Sequence, residues 1–120
     1  MPSVPAKILI GISSDPDESK QLLSRAISVL AHPNDNIVAI HVLGQSKRES
    51  VTKSQSQLRR AKAYVISVLG EFARTCQSKQ VNLEAKVIFC SSIGRGLVEE
   101  AKSIFADYLL LCSSRNQSNR

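Results

Sequence analysis

Ile8-Leu9-Ile10-Gly11-Ile12 is apolar at nearly every position, as a strand covered on both faces requires. Three further strand-like runs follow it: Ile37-Val38-Ala39-Ile40-His41-Val42-Leu43, Ala85-Lys86-Val87-Ile88-Phe89-Cys90 and Asp107-Tyr108-Leu109-Leu110-Leu111-Cys112. Helical patterns separate them. Asp15-Pro16-Asp17-Glu18 reads as a helix start, with Asp15 as N-cap, Pro16 at the first helical position and Glu18 completing a capping box. Asp15 and Asp17 are therefore cap and dipole residues rather than catalytic carboxylates. Leu23, Ala26, Ile27 and Leu30 form the stripe that this helix buries. His32-Pro33-Asn34-Asp35-Asn36 then turns the chain, with His32 at the surface. Gly44 to Thr52 is polar and aperiodic and reads as a loop. One long helix follows, its apolar positions running from Leu58 through Val65 and Phe72 to Cys76, closed by Ser78-Lys79-Gln80. The last helix carries Leu97, Val98, Ala101, Ile104 and Phe105 on its apolar positions. Strands alternating with helices predict a parallel α/β sheet with strand 1 in the interior. Right-handed crossovers place helices on both faces of such a sheet.

A chain of 120 residues makes one domain with room for a two- or three-layer core. No apolar run approaches the roughly 20 residues of a membrane helix, so no membrane insertion is expected. The start, Met1-Pro2-Ser3-Val4-Pro5-Ala6-Lys7, has no signal-peptide pattern. Cys76, Cys90 and Cys112 are odd in number and form no CxxC pair. They read as reduced, mostly buried thiols of a cytosolic or nuclear protein, with Cys112 the position where a redox role would fall. The net charge of +6 comes entirely from residues 47–79, which hold eight Lys and Arg against Glu49 and Glu71. A basic helix over 53–78 is thus a solvated face that could meet a protein partner. Nucleic acid is not the expected ligand, because the chain has no Trp to serve as a stacking platform beside the charge.

Ligands of open α/β sheets bind at the carboxyl ends of the strands, here near Ser13 and Ser113. Two loops could cradle phosphate. Ser91 to Gly96 contains glycines and leads into a helix N-terminus, but Gly94-Arg95-Gly96 is not a full GxGxxG and no Walker A Lys-Ser/Thr follows. Cys112-Ser113-Ser114-Arg115 offers two hydroxyls and a cation without a glycine for close approach. No GxSxG, HExxH or paired carboxylates at strand ends supply catalytic chemistry. His41 within its strand reads as structural, since no ligand cluster accompanies it. Glu99 and Glu100 are expected to face solvent.

The run Lys7 to Ser13, the strand Asn36 to Val42 with its Ile-x-x-His-Val-like ending, the long second helix and the Ala106-Asp107-hydrophobic start of the fourth strand together resemble the universal stress protein family. The resemblance covers residues 6–115 and is strongest to the domain that precedes the kinase in plant receptor-like cytoplasmic kinases. It implies a Rossmann-like three-layer sandwich with sheet order 3-2-1-4-5, of which this sequence holds 3-2-1-4; strand 5 would lie beyond Arg120. Nucleotide-binding members hold adenosine with an Asp at the end of strand 1, place strand-2 backbone beside the adenine, and bind phosphates on a G-x-x-G-x9-G-Ser/Thr loop after strand 4. By position the Asp falls on Ser13, the strand-2 contact on Val42, and the first two glycines on Cys112 and Arg115.

The family's cofactor site accordingly maps onto Gly11, Ile12, Ser13, Ser14, Val42, Cys112, Ser113, Ser114 and Arg115, with its acidic and glycine positions substituted. The leading expectation is a non-catalytic regulatory or interaction domain with a degenerate nucleotide site, belonging to a larger protein kinase. The alternative is a module that binds ATP or AMP weakly, and a third is a small phosphotransfer or hydrolytic enzyme. With no strand 5 beside it, strand 4 is expected to be an apolar edge through which the chain forms a homodimer.

Overall fold

The first strand, β1 (Lys7–Gly11), takes the interior of the sheet because nothing in it is polar beyond Lys7. Ile8, Leu9 and Ile10 have no exposed surface at all. The structure, a computed structural model, describes residues 5–44, 51–90 and 92–111. After β1 come α1 (Pro16–Arg25), which ends in a π-helical turn over Ala26–Leu30, then β2 (Asn36–Gly44), α2 (Val51–Gly70) and α3 (Ala73–Lys79). The chain continues with β3 (Asn82–Cys90), α4 (Ile93–Ser103) and β4 (Tyr108–Leu110). All strands are parallel, in the order β3-β2-β1-β4, so the three-layer parallel architecture expected from the sequence is the one observed.

Side-chain alternation along the strands divides the core in two. Ile8, Ile10, Ile37 and Ala39 face α1, α2 and α3, packing on Leu23, Val65, Val68 and Cys76. Leu9, Val38, Ile40 and Val42 face α4 and pack on Leu97. The second layer is thin, because one helix covers it, and Ile93 and Val98 on α4 remain about half exposed.

The helix ends follow local chemistry. Asp15 caps α1 as expected, its Oδ1 accepting from the amides of Asp17 (3.0 Å) and Glu18 (3.4 Å). The long second helix, by contrast, is two. It breaks after Gly70, where Phe72 N–H turns back to Leu69 O (2.9 Å); glycine is a poor helix former, and the break tucks Phe72 against the core. Leu58, expected in the buried stripe, stays exposed. The end of α3 is closed by Gln80 in the left-handed region (φ 63°), with Gln80 N–H on Gln77 O and Val81 N–H on Cys76 O, a Schellman arrangement. The end of α4 repeats it with Phe105 (φ 55°), which is 84% exposed rather than on the helix's buried stripe.

Two strands differ in length from expectation. β3 begins at Asn82 and pairs with β2 along all nine residues. β4 spans only Tyr108–Leu110, because β1 opposite it ends one residue after the Ile10–Leu110 pair. Asp107 serves instead as an acceptor: its Oδ2 takes the Lys7 amide (2.8 Å) while its own N–H donates to Lys7 O. Asp35 does the same for the other flank of β1, accepting from the Ala6 and His32 amides (both 2.9 Å) in a nearly buried position. Glu100 is not solvent-facing: its side chain, 11% exposed, pairs with Lys86 across the α4–β3 packing. Glu99 is exposed and pairs with Arg95.

Candidate functional site

The carboxyl end of β1 is built by hydrogen bonds that consume its own backbone. Ile12 N–H continues the sheet by donating to Ile40 O (2.8 Å). Ile12 O accepts from His41 Nδ1 (2.7 Å), and Ser13 O accepts from the Tyr64 hydroxyl (2.7 Å) and from Ser19 Oγ (3.3 Å). Ser19, fully buried, also receives the Ser13 amide on its Oγ (3.0 Å). The Ser13 hydroxyl turns inward as well, accepting from Asp15 N–H (3.1 Å) and donating to Asp15 O (3.2 Å). Ser13 therefore splints the turn between β1 and α1. A carboxylate at this position would project an acceptor pair; this hydroxyl spends its capacity on the chain itself.

Gly11, Ile12, Ser13 and Val42 come together around a cavity of about 260 Å³ at the ends of β1 and β2, closed by Leu97 and Leu111. The Leu111 side chain comes so close to Gly11 that a β-carbon there would meet it at 2.9 Å. Ser14 is not part of this cavity. It lies on the other side of the sheet, with His41, Leu43, Gln57, Arg60 and Tyr64, around a larger opening of about 510 Å³. Alternation explains the division: Val42 faces α4 while His41 and Leu43 face α2. Cys112, Ser113, Ser114 and Arg115 lie outside the described residues.

The glycines before α4 belong to the helix rather than to a phosphate loop. Ser92 caps it, its Oγ accepting from Arg95 N–H (3.4 Å) and its carbonyl from Gly96 N–H (2.9 Å). Gly96 lets α4 approach the sheet, since a β-carbon there would stand 3.0 Å from Cys90 Cβ and 3.2 Å from Val42 Cγ1. Ser91 lies outside the described residues. A third cavity, about 750 Å³, is the largest of these but opens beside the α2–α3 break at the amino end of β3, near Leu69, Cys76 and Leu83. It is remote from the carboxyl strand ends where this fold class binds ligands. Among the described residues no cluster of His, Cys, Asp and Glu is placed to hold a metal ion, and no helix is long and apolar enough to cross a membrane.

Tyr64 and Ser19 are not legible as site residues in the sequence. Both lock the end of β1, and nothing in a helical stripe distinguishes a tyrosine that reaches a carbonyl 51 residues away. His41 was legible as structural, but not its bond to Ile12 O or its edge-to-face contact with the Tyr64 ring (centroids 5.7 Å apart, planes at 65°).

Solved structures identify the fold as that of the universal stress proteins. The universal stress protein UspA of Lactobacillus plantarum superposes with a TM-score of 0.68 at 17% identity, over 99% of this chain and 85% of that one. A universal stress protein family protein of Arabidopsis thaliana, crystallised with AMP bound, gives 0.63 at 18% identity, over 91% and 77%. A universal stress protein family member of Burkholderia pseudomallei gives 0.65 at 12%, over 90% and 81%. At the level of sequence, a probable receptor-like serine/threonine-protein kinase of Arabidopsis thaliana is 58% identical over 108 residues, which are 88% of this chain. The matched region is 19% of that kinase's length, so the chain spans about a fifth of the relative it matches. No family model matches the chain.

Proposed function

We propose that this chain is a non-catalytic regulatory or interaction domain with a degenerate nucleotide site, working inside a larger cytoplasmic receptor-like protein kinase in stress signalling. The observation that carries the reading is the end of β1. Ser13, in place of an acidic acceptor, has its hydroxyl turned onto Asp15 backbone. The cavity beside it holds about 260 Å³, below the roughly 300 Å³ at which pockets for small-molecule ligands begin. Leu97 and Leu111 line it where a ribose or phosphate would need polar partners. The kinase context draws on the 58% identity to the Arabidopsis receptor-like kinase. The non-catalytic part of the reading draws on Ser13 Oγ, which is engaged by Asp15 backbone on both its donor and its acceptor side, with no histidine or carboxylate side chain bonded to it among the described residues. Partner contact fits α2, where Arg59, Arg60 and Lys62 are all exposed and would favour an acidic protein surface.

A second reading, a module binding ATP or AMP weakly, draws on the AMP held by the Arabidopsis neighbour of the same fold. Equilibrium binding of labelled AMP and ATP, against an inert-protein control, separates the two. The expected dissociation constant is weaker than about 0.1 mM, because hydrogen bonds to a charged acceptor contribute roughly 1.5–3 kcal/mol each and Ser13 supplies none. Saturable micromolar binding by the unaltered chain would overturn the degenerate-site reading. Ser13→Asp tests the same point from the other side, and a gain in affinity is expected.

A further inference from the structure

We propose that the cavity between the end of β2 and α2 is a second ligand site, suited to a small aromatic carboxylate. It lies on the opposite face of the sheet from the cavity at Gly11 and Val42. Gln57, Arg60, Ala61 and Tyr64 recur at helical spacing and so share one face of α2. Arg60 is exposed and has no ion-pair partner among the described residues. His41 Nδ1 donates to Ile12 O, so in the neutral ring Nε2 carries the lone pair and accepts. The Tyr64 hydroxyl is likewise anchored on Ser13 O, and the two rings brace each other edge to face. This wall is therefore held in place before any ligand arrives, which lowers the ordering cost of binding.

The volume, about 510 Å³, falls in the range of small-molecule pockets, which are mostly apolar with a few convergent polar groups. Leu43, Ala61 and the Tyr64 ring supply the apolar part. Arg60 supplies the fork that matches a carboxylate in two parallel hydrogen bonds. His41 Nε2 selects a ring substituent that donates a hydrogen bond. A flat aromatic acid meets all three demands at once.

The test is an amide NMR titration of the 120-residue chain with naphthoate, hydroxynaphthoate and the uncharged naphthamide. Naphthoate is expected to shift the Leu43, Gly44, Arg60, Ala61 and Tyr64 signals saturably, and a hydroxyl on the ring to tighten binding. Naphthamide, and naphthoate with Arg60→Ala, should bind about tenfold more weakly, as loss of a charged hydrogen bond implies; Arg60→Lys should recover part of the loss. Arg60 is exposed, so its variants should unfold at the same temperature as the parent. Excess AMP should leave the shifts in place. The proposal fails if millimolar naphthoate gives no saturable shift or if naphthamide binds equally well. It fails equally if the shifts fall on Gly11, Ile12, Leu97 and Leu111.

Discussion

Cys76 illustrates what burial does to a single group here. Its side chain lies under α3 in the larger core layer, 2% exposed. Burial pushes the thiol's pKa up, against a smaller opposing pull from the Lys79 ammonium. The raised value has a consequence for stability. Below the unfolded thiol's pKa, near 8.5, both states are protonated and the contribution is complete. Above it the unfolded chain loses the proton while the folded chain keeps it, so stability falls as pH rises. Denaturant unfolding at about pH 7 and pH 10 should show the parent chain losing more stability than Cys76→Ala over the same interval. An equal fall in both would mean that Cys76 does not titrate differently in the two states. At this scale the Asp15 cap was readable from sequence, since its side chain acts on amides two and three residues away. Asp35, Ser19 and Tyr64 were not: their partners are brought to them by the folding of other segments.

At the scale of elements, α4 carries two glycines in its first turn with opposite roles. A β-carbon on Gly94 would meet nothing within 4 Å, so Gly94→Ala should stabilise the chain by up to about 1 kcal/mol through helix propensity and a less disordered unfolded state. Gly96 faces the sheet, and its neighbours there are Cys90 Cβ and Val42 Cγ1, which are held by their strands. Gly96→Ala should therefore destabilise by roughly 1–3 kcal/mol, the overpacking cost outweighing the propensity gain. Thermal or denaturant unfolding of the two variants checks the signs, and two shifts of the same sign would contradict the packing described for α4. Sequence marked this segment only as glycine-containing and preceding a helix; what the glycines are for depended on the helix's distance from β2 and β3. The α2–α3 break was hidden for a similar reason. The apolar spacing runs on through Gly70, and only the packing of Phe72 and Cys76 beneath the helix shows why the turn is favourable.

For the whole molecule the informative feature is the sheet's asymmetry. β1 is paired on both sides, whereas β4 is paired with β1 alone among the described strands. Beside that edge stand Tyr108 and Leu111, each 49% exposed, and Phe105 at 84%. Unpaired backbone flanked by apolar side chains is a template for another strand. We propose that a second copy of the chain pairs there across a two-fold axis, where one patch can meet itself. Light scattering at tens of micromolar should report a dimer, and Tyr108→Lys should shift it toward monomer by placing like charges at the shared edge. A parent chain that remains monomeric at those concentrations would sink the idea.

The sequence by itself determined the alternation of strands and helices along the chain, though not the break between α2 and α3. Apolar runs, helical spacing and caps act over a few residues, and parallel strands joined by helices leave few topologies that are right-handed and uncrossed. An interior β1 followed from Ile8 to Ile10 having no polar face to offer water. Only the tertiary structure decided how the carboxyl strand ends are used. Ser13 and Ser14 are neighbours in the chain, yet one belongs to the small apolar cavity under α4 and the other to the polar one beside α2. That division follows the alternation of β2, where Val42 faces α4 and His41 faces α2, and the Ile12 and Ser13 carbonyls just after β1 are claimed by His41 and by Tyr64 of α2. Long-range hydrogen bonds of this kind have no period and no local signature, since they exist only once the sheet has brought their donors together.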